Sequence, residues 1–378
     1  MSIGLAMAAA EQRSAREIRS FQTLDGLRGV AACGVAIGHG RFLAGQQPMA
    51  EFSECYLAVD FFFVLSGFIL AHAYGARLSQ GLSVRRFMAL RLIRLYPLYG
   101  LALLCSFGLA ALQGFRSALG VPLQPVDALA ALLMLPDPHW GVPLYPLNIA
   151  DLLYPLNVPA WSLLFELVAN AVLALFWRRL SPAGLAALAG ASALVLAVAL
   201  EARWLGFGTQ GDAFNAGALW SSFGGGLVRV VFSFFTGVLV YELWRRRPPR
   251  LQVPPVVLML MLAAMLAVVP PRAAQDAYDL AATLIMFPAM VYLGAASAPG
   301  RFGARLFAWL GGISYGVYVL QQAYYSAIQA AEKGAALSAA GTILAIALLL
   351  PLVTIADLAV DRPIRRVLGR LVAGGKAA

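Results

Sequence analysis

The sequence predicts an all-α protein, a polytopic transmembrane helical bundle of about ten spans. Three observations carry this expectation. Apolar runs such as 253–269, 306–328 and 337–360 approach the length of a bilayer core at about 1.5 Å rise per residue. Hydrophobic residues make up 61% of the 378-residue chain and charged residues only 12%, about half the charge of a soluble domain. The arginines fall in short clusters between the apolar runs, which is the charge pattern of membrane topology.

The first element is a tail, residues 1–22. Its mildly apolar stretch 3–10 precedes Arg13, Arg16 and Arg19, the reverse of a cleaved signal peptide. Ten spans follow at 26–44, 55–74, 94–113, 159–177, 183–200, 226–244, 253–269, 278–297, 306–326 and 337–359. With the tail inside, 21 basic side chains lie on the cytoplasmic side and five on the other, while Arg28 and Arg229 fall within spans. That asymmetry places both termini in the cytoplasm. The chain divides into the tail 1–22, a membrane domain 23–360 and a cytoplasmic C-terminal tail 361–378.

Two stretches interrupt the pattern. Arg85, Arg86, Arg91 and Arg94 alternate with Phe87, Leu90, Leu92 and Leu95, so 84–95 reads as an amphipathic helix on the cytoplasmic face. The outer stretch 114–158 is long and proline-rich. Its apolar piece 127–135 is too short to span, and is expected as a re-entrant or interfacial segment.

The net charge of +10 does not indicate nucleic acid, because the basic residues are distributed by topology; membrane lipids are the expected surroundings. Cys33, Cys55 and Cys105 make no disulfide framework and no zinc spacing. His39, His72 and His139 are too dispersed for a metal motif, so no metal and no permanently bound cofactor is expected.

Ionisable groups inside spans cost several kcal/mol unless paired or wet. His39, Asp60, Glu166 and Arg229 stand at about 7, 7, 10 and 4–5 Å below the outer ends of their spans. Two readings fit this shared layer. One is a general-base site in which a carboxylate orients the imidazole. The other is an ion-pair network of Arg229 with Asp60 or Glu166, with His39 as packing. Arg28 precedes His39 by 11 residues and therefore shares its helix face, about 16 Å away. An anion could dock at Arg28 while its reactive end reaches His39; alternatively, Arg28 only pairs with Asp25.

Leu24-Asp25-Gly26-Leu27-Arg28-Gly29 followed by His39 resembles the Arg-x10-His opening of the acyltransferase type 3 family of integral-membrane O-acyltransferases. Val59-Asp60-Phe61-Phe62-Phe63-Val64-Leu65-Ser66-Gly67-Phe68 is similar to its second-span block, and Arg91-Leu92-Ile93-Arg94-Leu95-Tyr96-Pro97 to the block before the third span. Trp161-Ser162-Leu163-Leu164-Phe165-Glu166 resembles its Trp-Ser/Thr-x3-Glu block, and Ser314-Tyr315-Gly316-Val317-Tyr318 its late Ser-Tyr-x2-Tyr block. Asp361-Arg362-Pro363 stands where Glu-x-Pro is common. The likeness covers roughly 20–366. One departure is Gln321, where the family often has His; Gln can donate a hydrogen bond but takes up no proton at neutral pH.

The resemblance implies acyl-CoA, with acetyl-CoA expected, as donor substrate. It implies a hydroxyl acceptor on a cell-surface or secreted carbohydrate or lipid-linked glycan, and residence in the bacterial inner membrane. His39 becomes the expected base, or the carrier of an acyl-histidine intermediate, with Glu166 and Asp60 as supporting carboxylates. Arg28, Arg91, Arg94 and Tyr96 are the expected donor-binding residues. Ser66, Trp161, Ser162, Arg229, Ser314, Tyr315, Tyr318 and Gln321 are expected to support the acceptor. The competing class is a secondary transporter or flippase, whose buried charges would carry protons or substrate. Against it stands the absence of paired Gly/Pro-interrupted spans in two repeat halves.

Overall fold

The computed structural model describes residues 21–40, 53–116, 122–138, 151–208, 214–332 and 335–374. Most of the N-terminal tail and much of the proline-rich stretch 114–158 lie outside the described residues. Among the described residues every regular element is helical. The helices are α1 (Gln22–Gly40), α2 (Ala58–Ser79), α3 (Val84–Leu112), α4 (Pro125–Leu132), α5 (Ala160–Phe176), α6 (Pro182–Glu201) and α7 (Phe223–Arg246). They continue with α8 (Pro255–Ala267), α9 (Gln275–Ala281), α10 (Phe287–Gly294), α11 (Arg301–Ala331), α12 (Ala339–Ala356) and α13 (Arg362–Gly374). One π-helical turn joins α9 to α10, and a second joins α12 to α13.

Seven helical stretches are long and apolar enough to cross a membrane: Glu54–Ser79, Val84–Leu112, Ala160–Arg179, Pro182–Glu201, Trp220–Arg246, Arg272–Gly294 and Ala340–Val372. Helices α1, α8 and α11 stand where the first, seventh and ninth spans are expected. Helix α8 has only 13 residues. Helices α1 and α11 also line the interior, through Arg28 on the one and Ser314, Tyr315 and Tyr318 on the other.

Helix starts follow local chemistry. Ser83, Ser181 and Ser338 cap α3, α6 and α12, each accepting a hydrogen bond from the backbone N–H three residues on. Such caps satisfy amides that the first helical turn leaves without partners. The stretch 84–95 is not a separate surface helix. It forms the first three turns of α3, which runs unbroken through Pro97 to Leu112. A two-turn helix, α4, occupies the place of the expected re-entrant or interfacial piece. The Tyr96 and Tyr99 hydroxyls donate to its Leu132 and Ala131 carbonyls, partners that a helix C-terminus otherwise lacks. Beyond Asp361 the expected tail is also ordered: α13 packs back on α3.

Small residues set the closest helix crossings, as in membrane bundles generally. Helices α1 and α11 lie side by side and in parallel. Arg28 bonds Gly311 and Ser314 near one end, and the Tyr325 hydroxyl donates to Ala36 O near the other. At the α2–α7 crossing, a Cβ on Gly67 would come 2.0 Å from Phe234 O, and one on Gly237 would come 2.0 Å from Val64 O. Either methyl forces the backbones apart, at a cost of about 1–3 kcal/mol or more. Gly67→Ala is therefore expected to lower the unfolding temperature of detergent-solubilised protein. Wild-type melting of that variant would refute the crossing.

Candidate functional site

Helices α1, α2, α3, α5 and α11 surround a cavity of about 150 Å³. Arg28, Ser66, Arg91, Arg94, Ser162, Glu166, Ser314, Tyr315 and Tyr318 line it, and its apolar walls include Phe62, Phe63, Ile69, Leu70 and Leu163. The three arginines come from two helices distant in sequence, yet they converge here. Each is held by a carboxylate. Arg28 Nη2 meets Asp25 Oδ1 at 3.1 Å, Arg91 Nη2 meets Glu166 Oε1 at 2.8 Å, and Arg94 Nη1 lies 3.7 Å from Asp361 Oδ2.

Their remaining bonds fix the guanidinium planes. Arg28 Nε donates to Ser314 Oγ (2.9 Å) and its Nη2 to Gly311 O (2.6 Å). The amide of Asn170, turned so that its oxygen faces Arg91, accepts from Arg91 Nε (3.1 Å) and donates to Glu166 O (3.2 Å). Arg94 lies over the Tyr315 ring, 5.5 Å from its centroid, a cation–π contact. Among the described residues, Arg28 and Arg91 keep Nη1 free of protein hydrogen bonds. Planar forks with spare donors in a narrow cavity suit phosphate or carboxylate oxygens.

Hydroxyls line the rest. Ser66 Oγ donates to Glu166 Oε1 at 2.6 Å, so this carboxylate joins α2 and α3 through α5. The Ser162 and Tyr318 hydroxyls lie 2.7 Å apart. One turn beyond Tyr318 on α11, the Gln321 carboxamide stands against the His39 imidazole, and its Nε2 donates to Tyr318 O at 2.9 Å. His39 and Gln321 thus sit past one end of the cavity, with Arg28 at the other.

Four expected residues lie elsewhere. Asp60, expected beside His39, is fully buried against Arg229: Nη2 to Oδ2 is 2.6 Å, and Ser233 Oγ also reaches its Oδ1. Arg229 additionally donates to Ala216 O (2.7 Å) and Tyr56 O (3.2 Å) and lies 5.7 Å from the Trp161 ring centroid. Trp161 covers Gly217, whose φ of +127° and 2.3 Å approach to the indole leave no room for a side chain. Trp161 and Arg229 therefore belong to a packed ion-pair cluster, not to the cavity. Tyr96 points away from the cavity because it lies 200° around α3 from Arg94 (two residues at about 100° each), and it bonds Leu132 instead. Glu166 remains in the cavity, committed to Arg91 and Ser66. Asn170 was missed by the sequence reading. The available signal was its placement four residues after Glu166, one helical turn along the same face. Asp361 belongs to the resemblance; its Oδ2 bonds Arg365 at 2.7 Å and lies 3.7 Å from Arg94.

Comparison with known proteins places the chain in a family. The chain matches the family model described as "Acyltransferase domain" over residues 21–360. It is 39% identical over 194 residues to "Protein 2 in picA locus" of Rhizobium radiobacter, a match covering 47% of this chain and 94% of the relative. No solved structure matches it.

Proposed function

The chain belongs to this acyltransferase family, and from that premise we propose that it moves an acyl group from cytoplasmic acyl-CoA to a carbohydrate hydroxyl. Acetyl is the proposed acyl group, a cell-surface or secreted glycan the proposed acceptor, and the bacterial inner membrane with both termini cytoplasmic the proposed location. The observation that carries the donor assignment is the convergence of Arg28, Arg91 and Arg94 on one cavity that rises towards Tyr318 and Gln321. A transporter reading has no comparable support once the family is known.

In the proposed reaction the three guanidinium groups hold the anionic part of acyl-CoA, and the thioester lies towards Tyr318. His39 takes the proton of the acceptor hydroxyl as its oxygen attacks the thioester carbonyl carbon. The C–S bond breaks, the sulfur leaves with the electron pair, and the imidazolium proton neutralises the thiolate. Gln321 Oε1, buried and unsatisfied among the described residues, is the proposed acceptor for one ring N–H, which leaves the other nitrogen as the base. This gives Gln321 the orienting role first expected of a carboxylate. Ser162 and Tyr318 supply hydroxyl donors for the carbonyl oxygen as it gains charge.

The direct test is release of free CoA thiol from acetyl-CoA by purified protein, dependent on added glycan. Absence of donor consumption with every glycan tried, by protein shown to be folded, would count against the reading. Each charge-assisted contact is worth about 1.5–3 kcal/mol. Replacing Arg28, Arg91 or Arg94 with Gln is therefore expected to raise the donor KM roughly ten- to hundredfold while moving the acceptor KM little. Unchanged donor dependence in folded variants would remove the arginines from the donor site.

A further inference from the structure

A second recess, sharing no residue with the first cavity, opens where the ends of α2 and α7 meet the turn between α5 and α6. It measures about 510 Å³. Arg178, Arg245 and Arg246 stand at its rim with Glu242. Glu242 reaches Arg245 at 2.9 Å and Arg246 at 3.5 Å, so three guanidinium groups against one carboxylate leave the groove positive. Its accessible apolar surface comes from Trp177, Leu180 and Pro182, with Leu185 and Val238 buried behind them.

The recess is built, not incidental. Trp177 lies over Gly75, with its ring 2.5 Å from where a Cβ would stand, and its Nε1 donates to Ser79 Oγ at 2.9 Å. Arg178 Nη2 donates to Ser79 O at 3.2 Å, which pins that arginine at the rim. Tyr241 completes the lining. Paired Trp and Tyr beside arginines, at the ends of spanning helices, mark the headgroup level of a bilayer. An apolar trough below a basic rim matches a molecule with an anionic head and a hydrocarbon chain.

We propose that this groove binds an anionic phospholipid, its phosphate held by Arg178, Arg245 and Arg246 and one acyl chain lying along Trp177, Leu180 and Pro182. The phosphate chemistry is shared with free anions, but only a lipid also fills the apolar trough. Basic pockets between helices on the cytoplasmic side take such headgroups, and the arginine asymmetry assigns the cytoplasm to this face.

The test uses full-length protein in nanodiscs of phosphatidylcholine with a minority of phosphatidylglycerol, followed by native mass spectrometry of the lipids retained. Wild-type protein is expected to retain phosphatidylglycerol at least roughly fivefold above its bulk share, about the contribution of one arginine close to an anionic headgroup. Arg245 and Arg246 are more than half exposed, so Arg245→Gln/Arg246→Gln leaves folding intact and is expected to abolish the enrichment. Arg301→Gln/Arg305→Gln, which removes charge from the same face outside the groove, is expected to preserve it. Three results would overturn the proposal: no enrichment in wild type, equal loss in the control variant, or displacement of the lipid by inorganic phosphate alone.

Discussion

His39→Ala is expected to leave the protein folded and able to bind acyl-CoA while cutting turnover by at least about 10²-fold, the usual scale of a lost general base. The observation behind this is positional. His39 lies on the same α1 face as Arg28, and the cavity runs from Arg28 past Ser314 to Tyr318, one turn below Gln321 and the imidazole. His39→Gln separates chemistry from packing, because Gln keeps hydrogen-bonding capacity but cannot take up the proton. It is expected to fail as badly as His39→Ala. Gln321→Ala is expected to lose less, because the base remains and only its orientation is relaxed. The measurement is single-turnover acyl transfer by purified variants, alongside donor binding by calorimetry. Near-wild-type turnover of His39→Gln would eliminate His39 both as base and as acyl carrier.

Seven of the expected spans coincide with helices long and apolar enough to cross a membrane, because each is a largely apolar run. Less legible was how the helices turn against one another. Distance along a helix fixes height in the bilayer but not direction around the axis. Equal depth along their spans predicts that Asp60, Glu166 and Arg229 meet. Only Asp60 and Arg229 face each other; Glu166 turns towards Arg91 on α3. Tyr96 stands outside the cavity for the same reason: its neighbours Arg94 and Leu95 line it while Tyr96 faces α4. The break expected between 84–95 and the third span did not appear. Amphipathic patterning there reflects arginines turned into an interior cavity, a pattern that a membrane-surface helix would share. Asn170 and the Arg94–Asp361 pair needed the packed structure, because each depends on contact between helices distant in sequence.

The Asp60–Arg229 pair carries the other large expectation, in stability instead of turnover. Both side chains are completely buried, and the guanidinium is further committed to two backbone carbonyls and two aromatic faces. Removing one partner strands a buried charge, at a cost of about 3–5 kcal/mol. Asp60→Asn is therefore expected to reduce the yield of monodisperse protein in detergent and to lower its unfolding temperature sharply. The fraction that does fold should turn over substrate at close to the wild-type rate. Asp60→Leu combined with Arg229→Met removes both charges at similar volume, and is expected to recover much of the stability, because neither desolvated ion is then left alone. A catalytic Asp60 would behave in the opposite way. Asp60→Asn would melt like wild type yet lose turnover, and the apolar double variant would be stable and inactive. Measuring unfolding temperature and turnover per folded molecule on the same three proteins decides between the two roles. Wild-type melting of Asp60→Asn would refute the structural assignment of the pair.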